Sequence, residues 1–278
     1  MVNSIINNFK STYIKILFLC HKLILNSKCF KFQCNICGKT CIAPEKYIVG
    51  REVPSCSSCM SNRRFRTLIA GLSIEIYGKA KPIYQFERKH FNGLGMSDSE
   101  IYAGRLADKL NYTNTFYHKE PFLDITNIKE NHINSFDFII TSDVFEHIPQ
   151  PVESAFNNLY KLLKPNGIVI FSVPYVTEGQ TIEHFPNLFE YKIVEEHGKK
   201  VLYNTTKQGA KQVYKNLRFH GGDGATLEMR CFSENSLLEL IHNTGFTDIK
   251  IHNQEIHEFG ILFNYNGSHV ISMRKPIS

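Results

Sequence analysis

From about residue 80 the chain alternates strand-like runs with amphipathic helical stretches. That alternation limits it to an α/β fold with a largely parallel sheet. The clearest stretch begins with Phe136-Asp-Phe-Ile-Ile-Thr141, a short β run. Pro151 to Leu163 follows, with Val152, Ala155, Phe156, Leu159, Leu162 and Leu163 on one face at helical spacing. Lys164-Pro165-Asn166-Gly167 stops that helix, and Ile168-Val-Ile-Phe-Ser-Val173 reads as the next buried strand. Near the carboxyl end Ser233 opens a helix through Leu237, Leu238, Leu240 and Ile241, and Gly245-Phe246 ends it. Asp248 to His252 reads as a strand, and Ile261–Phe263 with His269–Met273 as a final hairpin-like pair.

A chain of 278 residues suits one large domain, or one domain and a small module. With 42% hydrophobic and 21% charged residues it is neither disordered, collagen-like nor membrane-spanning. The net charge of +6 is unevenly spread. Met1 to Arg66 carries 11 Lys+Arg against two acids, giving +9, and Thr67 to Ser278 carries 21 against 24, giving −3. Two parts with different jobs are expected. Within residues 1–30 the longest apolar run, Ile16 to Cys20, has five residues, far short of the roughly 20 that a membrane span needs. No small-residue cleavage site marks a signal peptide. The segment reads as an amphipathic helix packed on the rest of the protein, with a basic helix lying on a membrane surface as the alternative. A cytoplasmic protein without a transmembrane segment is expected.

Five of the eight cysteines fall between Cys34 and Cys59. Cys34-Asn-Ile-Cys37 and Cys56-Ser-Ser-Cys59 are two C-x-x-C pairs separated by 18 residues. Each pair can place two thiolates on one tight turn around a shared tetrahedral Zn²⁺, so residues 31–66 are expected to form a small, structural, zinc-ribbon-like module. Gly38 suits the turn after the first pair, and Cys41 is a spare thiol expected to pack nearby. Directly after Cys59, Ser61 or Asn62 can cap a helix continuing through Leu68, Ile69 and Leu72. Arg63, Arg64 and Arg66 at its start have two readings. They could grip phosphates of RNA or of a nucleotide-linked substrate, or they tie the module to the next domain.

Phe136-Asp137-Phe-Ile-Ile-Thr-Ser142-Asp143-Val-Phe-Glu146-His147-Ile-Pro149, an amphipathic helix, and then Leu162-Leu-Lys-Pro-Asn-Gly-Ile-Val-Ile-Phe-Ser-Val-Pro174-Tyr175 together resemble class I S-adenosylmethionine-dependent methyltransferases over about 40 residues. In that family the pattern marks the fourth strand, its carboxyl-end loop, a helix and the fifth strand. Arg230-Cys-Phe-Ser233 through Gly245-Phe246 resembles the late helix and sixth strand of the family's small-molecule branch. The resemblance spans roughly residues 80–275, and the zinc pairs resemble modules fused to some members. It implies a seven-stranded, mostly parallel, Rossmann-like sheet in residues 67–278, with S-adenosylmethionine bound outside the carboxyl ends of the strands.

Several residues are implied as its binders. Asn92-Gly93-Leu-Gly95-Met-Ser97-Asp-Ser-Glu100 is the candidate glycine loop after strand one, with Ser97 and Glu100 as a capping box whose amides would hold the cofactor's carboxylate. Phe91 stands where the family carries an acid, and Ser97 replaces a third glycine. Tyr112 to His118 is read as strand two, with Glu120 just beyond it for the ribose hydroxyls. Asp124 matches the acid facing the adenine amine, and Ser142 and Asp143 should lie near the methionine end. A capping role is the structural alternative for Asp143 and Glu146.

A hydroxyl acceptor needs a proton sink near neutral pH, for which histidine is the natural type. His147, His184 and His220 are the candidates. Tyr175 to Arg230 is a long insertion that should reach the acceptor pocket, and the turn from His220 to Gly224 followed by Arg230 could bind an acceptor phosphate or carboxylate. The reading is therefore an S-adenosylmethionine-dependent methyltransferase with structural Zn²⁺ and a small-molecule acceptor, with O-methylation of a sugar or glycan precursor preferred. An rRNA or tRNA methyltransferase, and a non-catalytic binding protein, are the alternatives; oligomeric state is not legible.

Overall fold

The computed structural model describes residues 2–23, 26–87, 89–220 and 226–277. Helix α1 (Val2–Leu23) precedes a hairpin of β1 (Cys29–Gln33) and β2 (Thr40–Pro44), followed by a single helical turn, α2 (Glu45–Ile48). From α1, Phe18 and His21 pack on the Tyr47 ring at 4.9 and 5.4 Å, whereas Tyr13, Ile16 and Leu19 stay exposed. No helix among the described residues is long and apolar enough to cross a membrane. The β1–β2 hairpin pairs Cys29 with Pro44 through Gln33 with Thr40, so the first cysteine pair occupies its tip. The second pair lies on a turn without strands.

Helix α3 (Arg63–Tyr77) leads into the main sheet. Asn62 caps it, its Oδ1 accepting from the Phe65 amide at 2.9 Å, and Gly78 in the left-handed region ends it. There follow β3 (Asn92–Met96), α4 (Glu100–Ala107), β4 (Asn111–Thr115), β5 (Phe136–Ser142), α5 (Val152–Leu162) and β6 (Leu163–Ser172). An insertion then carries β7 (Tyr175–Val176), β8 (Ile182–Glu183), a meander of β9 (Glu190–Glu196), β10 (Lys199–Thr205) and β11 (Lys211–Tyr214), and the pair β12 (Phe219–His220) and β13 (Thr226–Leu227). The chain closes with β14 (Arg230–Ser233), α6 (Glu234–Asn243), β15 (Thr247–His252) and β16 (Val270–Arg274).

The main sheet runs β15-β16-β6-β5-β3-β4. Strands β4, β3, β5 and β6 are parallel, and β16 is antiparallel to both β6 and β15. Strand order therefore reverses between β3 and β5. Both faces are buried, as parallel sheets require. Phe138, Ile140, Ile168 and Ile170 pack with α3 and α4, while Ile139, Val169 and Phe171 pack with α5 and α6. The α5 face matches the sequence pattern, with Val152, Ala155, Phe156, Leu159 and Leu162 all buried.

Four sequence expectations need correction. The sheet has six strands among the described residues, one fewer than the seven expected. Beyond β4 only a single parallel bridge forms, Phe116 to Phe122, because the chain turns at once through Asp124, whose carbonyl accepts from Asn127 at 3.1 Å. The last strand pair is β15 with β16. Ile261 makes only an isolated bridge to Ile256, and Gly267 and Ser268, both at positive φ, break the approach to β16. Strand two ends at Thr115, earlier than His118.

The fourth correction concerns Gly93 and Gly95. They lie inside β3 and form no loop after it. The Tyr112 and Phe138 rings, from the strands on either side, lie near-parallel 6.0 Å apart. A Cβ on Gly93 would fall 2.0 Å from Phe138 Cζ, and one on Gly95 would fall 2.0 Å from the Tyr112 hydroxyl. These glycines make room for neighbouring rings.

Candidate cofactor cleft and cysteine cluster

The carboxyl ends of β3, β4 and β5 open on two adjoining cavities at the point where strand order reverses, the usual ligand position in open α/β sheets. The first, of about 620 Å³, is lined by Thr115, Tyr117, Asp124, Thr126 and Leu227, with Tyr191 and Ile193 of β9 at its wall. The second, of about 500 Å³, is lined by Arg51, Glu52, Arg64, Asp98, Ser99 and Ser142. Ser97, Asp143 and His147 belong to both.

Ser97 is at φ +57°, and its amide donates to Thr115 O at 2.7 Å, which seals β3 to β4 just below the cleft. The cap of α4 is Ser99, accepting from the Ile101 amide at 3.3 Å, so the expected box on Ser97 and Glu100 is displaced by two residues. Asp124 forms an Asx turn, accepting from the Thr126 amide and hydroxyl at 2.8 and 2.7 Å. Glu120 is exposed, accepts from the Phe122 amide at 2.9 Å and lines neither cavity.

Asp143, at φ +55°, is gripped from outside the sheet. Arg51 donates Nη1 to its Oδ2 at 2.9 Å and Nη2 to its Oδ1 at 2.6 Å, and Arg64 Nε lies 3.4 Å from Oδ2. Burial pushes the Asp143 carboxyl up, but the Arg51 and Arg64 guanidiniums outweigh it and hold it below the usual carboxylate range. Arg64 also donates to Ser142 Oγ and to both Glu52 oxygens, at 2.7 and 2.8 Å. Ser142 Oγ lies 3.0 Å from Ser172 Oγ.

The histidines separate clearly. His147 Nδ1 sits 2.9 Å from Leu227 O. A carbonyl only accepts, so the neutral ring carries its proton on Nδ1 and its lone pair on Nε2. His184 lines neither cavity and pairs through Nε2 with Glu228 at 2.8 Å. The His220 backbone belongs to β12, and its side chain and the turn 221–225 lie outside the described residues. Arg230 is fully buried, donating to Glu183 at 2.6 Å and to the Phe145 and Ile148 carbonyls at 2.9 and 2.6 Å. It supports the loop that carries His147.

Sequence reasoning missed Arg51 and Asp98, and gave Glu146 no more than a capping role. Arg51 reaches Asp143 across 92 residues, a distance no local pattern reports. Glu146 is 0% exposed, with neither carboxyl oxygen hydrogen-bonded and 3.8 Å between Oε1 and His147 Nε2. Burial first, and Asp143 second, push its carboxyl well up. Asp98, also buried, takes hydrogen bonds from the Tyr102 and Tyr112 hydroxyls, yet burial raises its carboxyl to about 7.

The cysteine cluster sits beside the cleft. Sγ atoms of Cys34, Cys37, Cys56 and Cys59 all lie within 4.8 Å of one another. Cys34–Cys59 and Cys37–Cys56 are each 3.7 Å apart, against the edge of about 3.8 Å for a tetrahedron of sulfurs 2.3 Å from zinc. Each pair turns alike. Gly38 N donates to Cys34 O at 2.8 Å and Met60 N to Cys56 O at 2.9 Å, with Gly38 and Met60 both at positive φ. The donor set and spacing fit Zn²⁺, and Cys41 packs 3.2 Å from Cys56. Arg66 and Arg63 bind the cluster to the main sheet's flank. Arg66 donates to Ser55 Oγ and Gly260 O at 2.8 Å each, and Arg63 donates to the Tyr265 hydroxyl at 2.9 Å while stacking 4.5 Å from the Phe263 ring.

A family model described as a methyltransferase domain matches residues 73–251. The chain belongs to that family and is an S-adenosylmethionine-dependent methyltransferase. No curated protein sequence matches it. Among solved structures it is similar to 1,6-didemethyltoxoflavin-N1-methyltransferase of Burkholderia thailandensis, at 14% identity over 76% of this chain and 78% of that one, with a TM-score of 0.41. It is also similar to an amino pentose methyltransferase of Micromonospora echinaspora, at 10% identity over 77% and 92%, with a TM-score of 0.43. A methyltransferase of Clostridium acetobutylicum shares 12% identity over 95% and 99%, with a TM-score of 0.41. At these scores none of the three transfers an acceptor.

Asp98 sets a pH dependence. Its carboxyl titrates near 4 in the unfolded chain and at about 7 when folded, so its contribution to stability is complete below pH 4 and is lost as pH rises through 7. Urea unfolding at pH 5 and pH 8 should show roughly 2–3 kcal/mol less of this contribution at the higher pH, since part of it is already lost by pH 5. An Asp98→Asn variant should lack that part of the slope. Equal slopes for both proteins would contradict the assignment.

Proposed function

We propose that the chain methylates a small-molecule acceptor at oxygen, with a hydroxyl of a sugar or glycan precursor as the preferred class. The carrying observation is that Ser97, Asp143 and His147 wall both cavities at the reversal of strand order. When bound, S-adenosylmethionine supplies a methyl group already activated on a sulfonium, so the protein has mainly to align, to exclude water and to accept a proton. Asp124 and Thr126 would hold the adenine end. Ser97, Ser142 and Asp143 would face the methionine end. His147 Nε2 would take the acceptor hydroxyl's proton, with Nδ1 anchored on Leu227 O fixing the ring. Tyr191 and Ile193 from the insertion give the cleft an apolar wall against water.

The four cysteines are proposed as a structural Zn²⁺ site within residues 31–66, ahead of a methyltransferase domain at 67–278, in a cytoplasmic protein. Arg63 and Arg66 are almost fully buried and Arg64 turns into the cleft toward Glu52, Ser142 and Asp143, so the arginines that motivated an RNA reading all point inward. That favours a small acceptor.

Calorimetry with S-adenosylhomocysteine tests the cofactor assignment. Wild-type protein should bind it, and Asp124→Ala should weaken binding about tenfold, as loss of a hydrogen bond to a charged group does. Absence of binding by the wild type would favour the non-catalytic alternative. Elemental analysis should find about one zinc per chain, lost in Cys34→Ser or Cys56→Ser. Folded protein free of zinc would contradict the metal assignment.

A further inference from the structure

The second cavity has one wall from the β3 and β5 ends and the other from the segment that carries the cysteine pairs. Arg51 and Arg64 project from that segment, one before the second pair and one after it, with side chains only 12% exposed. We propose that these two guanidiniums are the binding site for the α-carboxylate of the cofactor's methionine end, so that the cysteine-bearing module completes the cofactor cleft. The proposal rests on the cofactor reading above and extends it to residues outside the methyltransferase-family match.

Charge balance selects the ligand. Arg51 and Arg64 face Asp143 and Glu52, two positive charges against two negative. Asp98, just beyond β3 on the opposite wall, adds negative charge above about pH 7. A phosphate dianion entering this neutral cluster would leave it strongly negative in a half-enclosed site. A zwitterion adds no net charge, since its carboxylate can exchange onto the arginines while its ammonium takes Asp143. Both guanidiniums present forks matched to a carboxylate, as the bidentate hold of Arg51 on Asp143 already demonstrates. Ser97, Ser99 and Ser142 supply further hydrogen-bonding groups around the cavity. An amino-acid end fits this chemistry better than any simple anion.

The test compares S-adenosylhomocysteine with 5′-methylthioadenosine, which keeps the adenosine and thioether but lacks the amino-acid end. Calorimetry on the wild type should give at least tenfold tighter binding of S-adenosylhomocysteine. Arg51→Gln and Arg64→Gln, singly and together, should weaken S-adenosylhomocysteine about 10- to 100-fold, as expected for charge-assisted hydrogen bonds, and leave 5′-methylthioadenosine within about twofold. Equal affinity of the wild type for both compounds would overturn the proposal while leaving the cofactor reading intact, and needs no variant. Unchanged S-adenosylhomocysteine affinity in the double variant, or equal loss for both compounds, would also overturn it. If the wild type binds neither compound, the cofactor reading itself falls.

Discussion

Arg51 and Arg64 closing on Asp143 is the interaction on which the remaining architecture turns. It fastens the cysteine-bearing segment to the carboxyl end of β5, where the strand order reverses and where the cleft opens. All three side chains are largely buried, so the pairing sits in a medium where charges are costly unless matched. The loop that follows Asp143 carries His147, and Arg230 braces it from below through the Phe145 and Ile148 carbonyls. Cleft geometry therefore depends on residues from the first quarter of the chain as well as on the sheet.

The same pairing revises what the charge distribution means. An excess of +9 in residues 1–66 looks like a nucleic-acid footprint when taken alone. Four of its basic residues, Arg51, Arg63, Arg64 and Arg66, are drawn inward. They tie the cysteine cluster to Asp143, Tyr265 and Gly260. For these residues positive charge is a fastening between two parts of one structure.

Local patterns made much of the fold legible. The Phe136–Val173 strand-helix-strand run and the buried face of α5 follow directly from apolar spacing. The two C-x-x-C pairs announce a cluster because each pair is a local turn and the sulfurs have few other uses. Features that depend on contacts across the sheet were hidden. Gly93 and Gly95 look like a loop in sequence because glycine is common in loops. Their reason for being glycine is the pair of rings from β4 and β5, which no local pattern reveals. Ser97 and Ser99 are equally plausible caps until the exit of β3 is known. Asp143 stood out at a strand end, but its partners 79 and 92 residues upstream did not. Glu146 was legible as an acid and illegible as a buried one.

The tie between the two parts can be measured directly by a double-mutant cycle on Arg51→Ala and Asp143→Ala, with urea unfolding of the wild type, both single variants and the double variant. A partly buried pair in direct contact should show an interaction energy of about 1–3 kcal/mol. Losses that add to within about 0.5 kcal/mol would mean that the two residues do not hold the parts together, and would contradict the account given for the cleft.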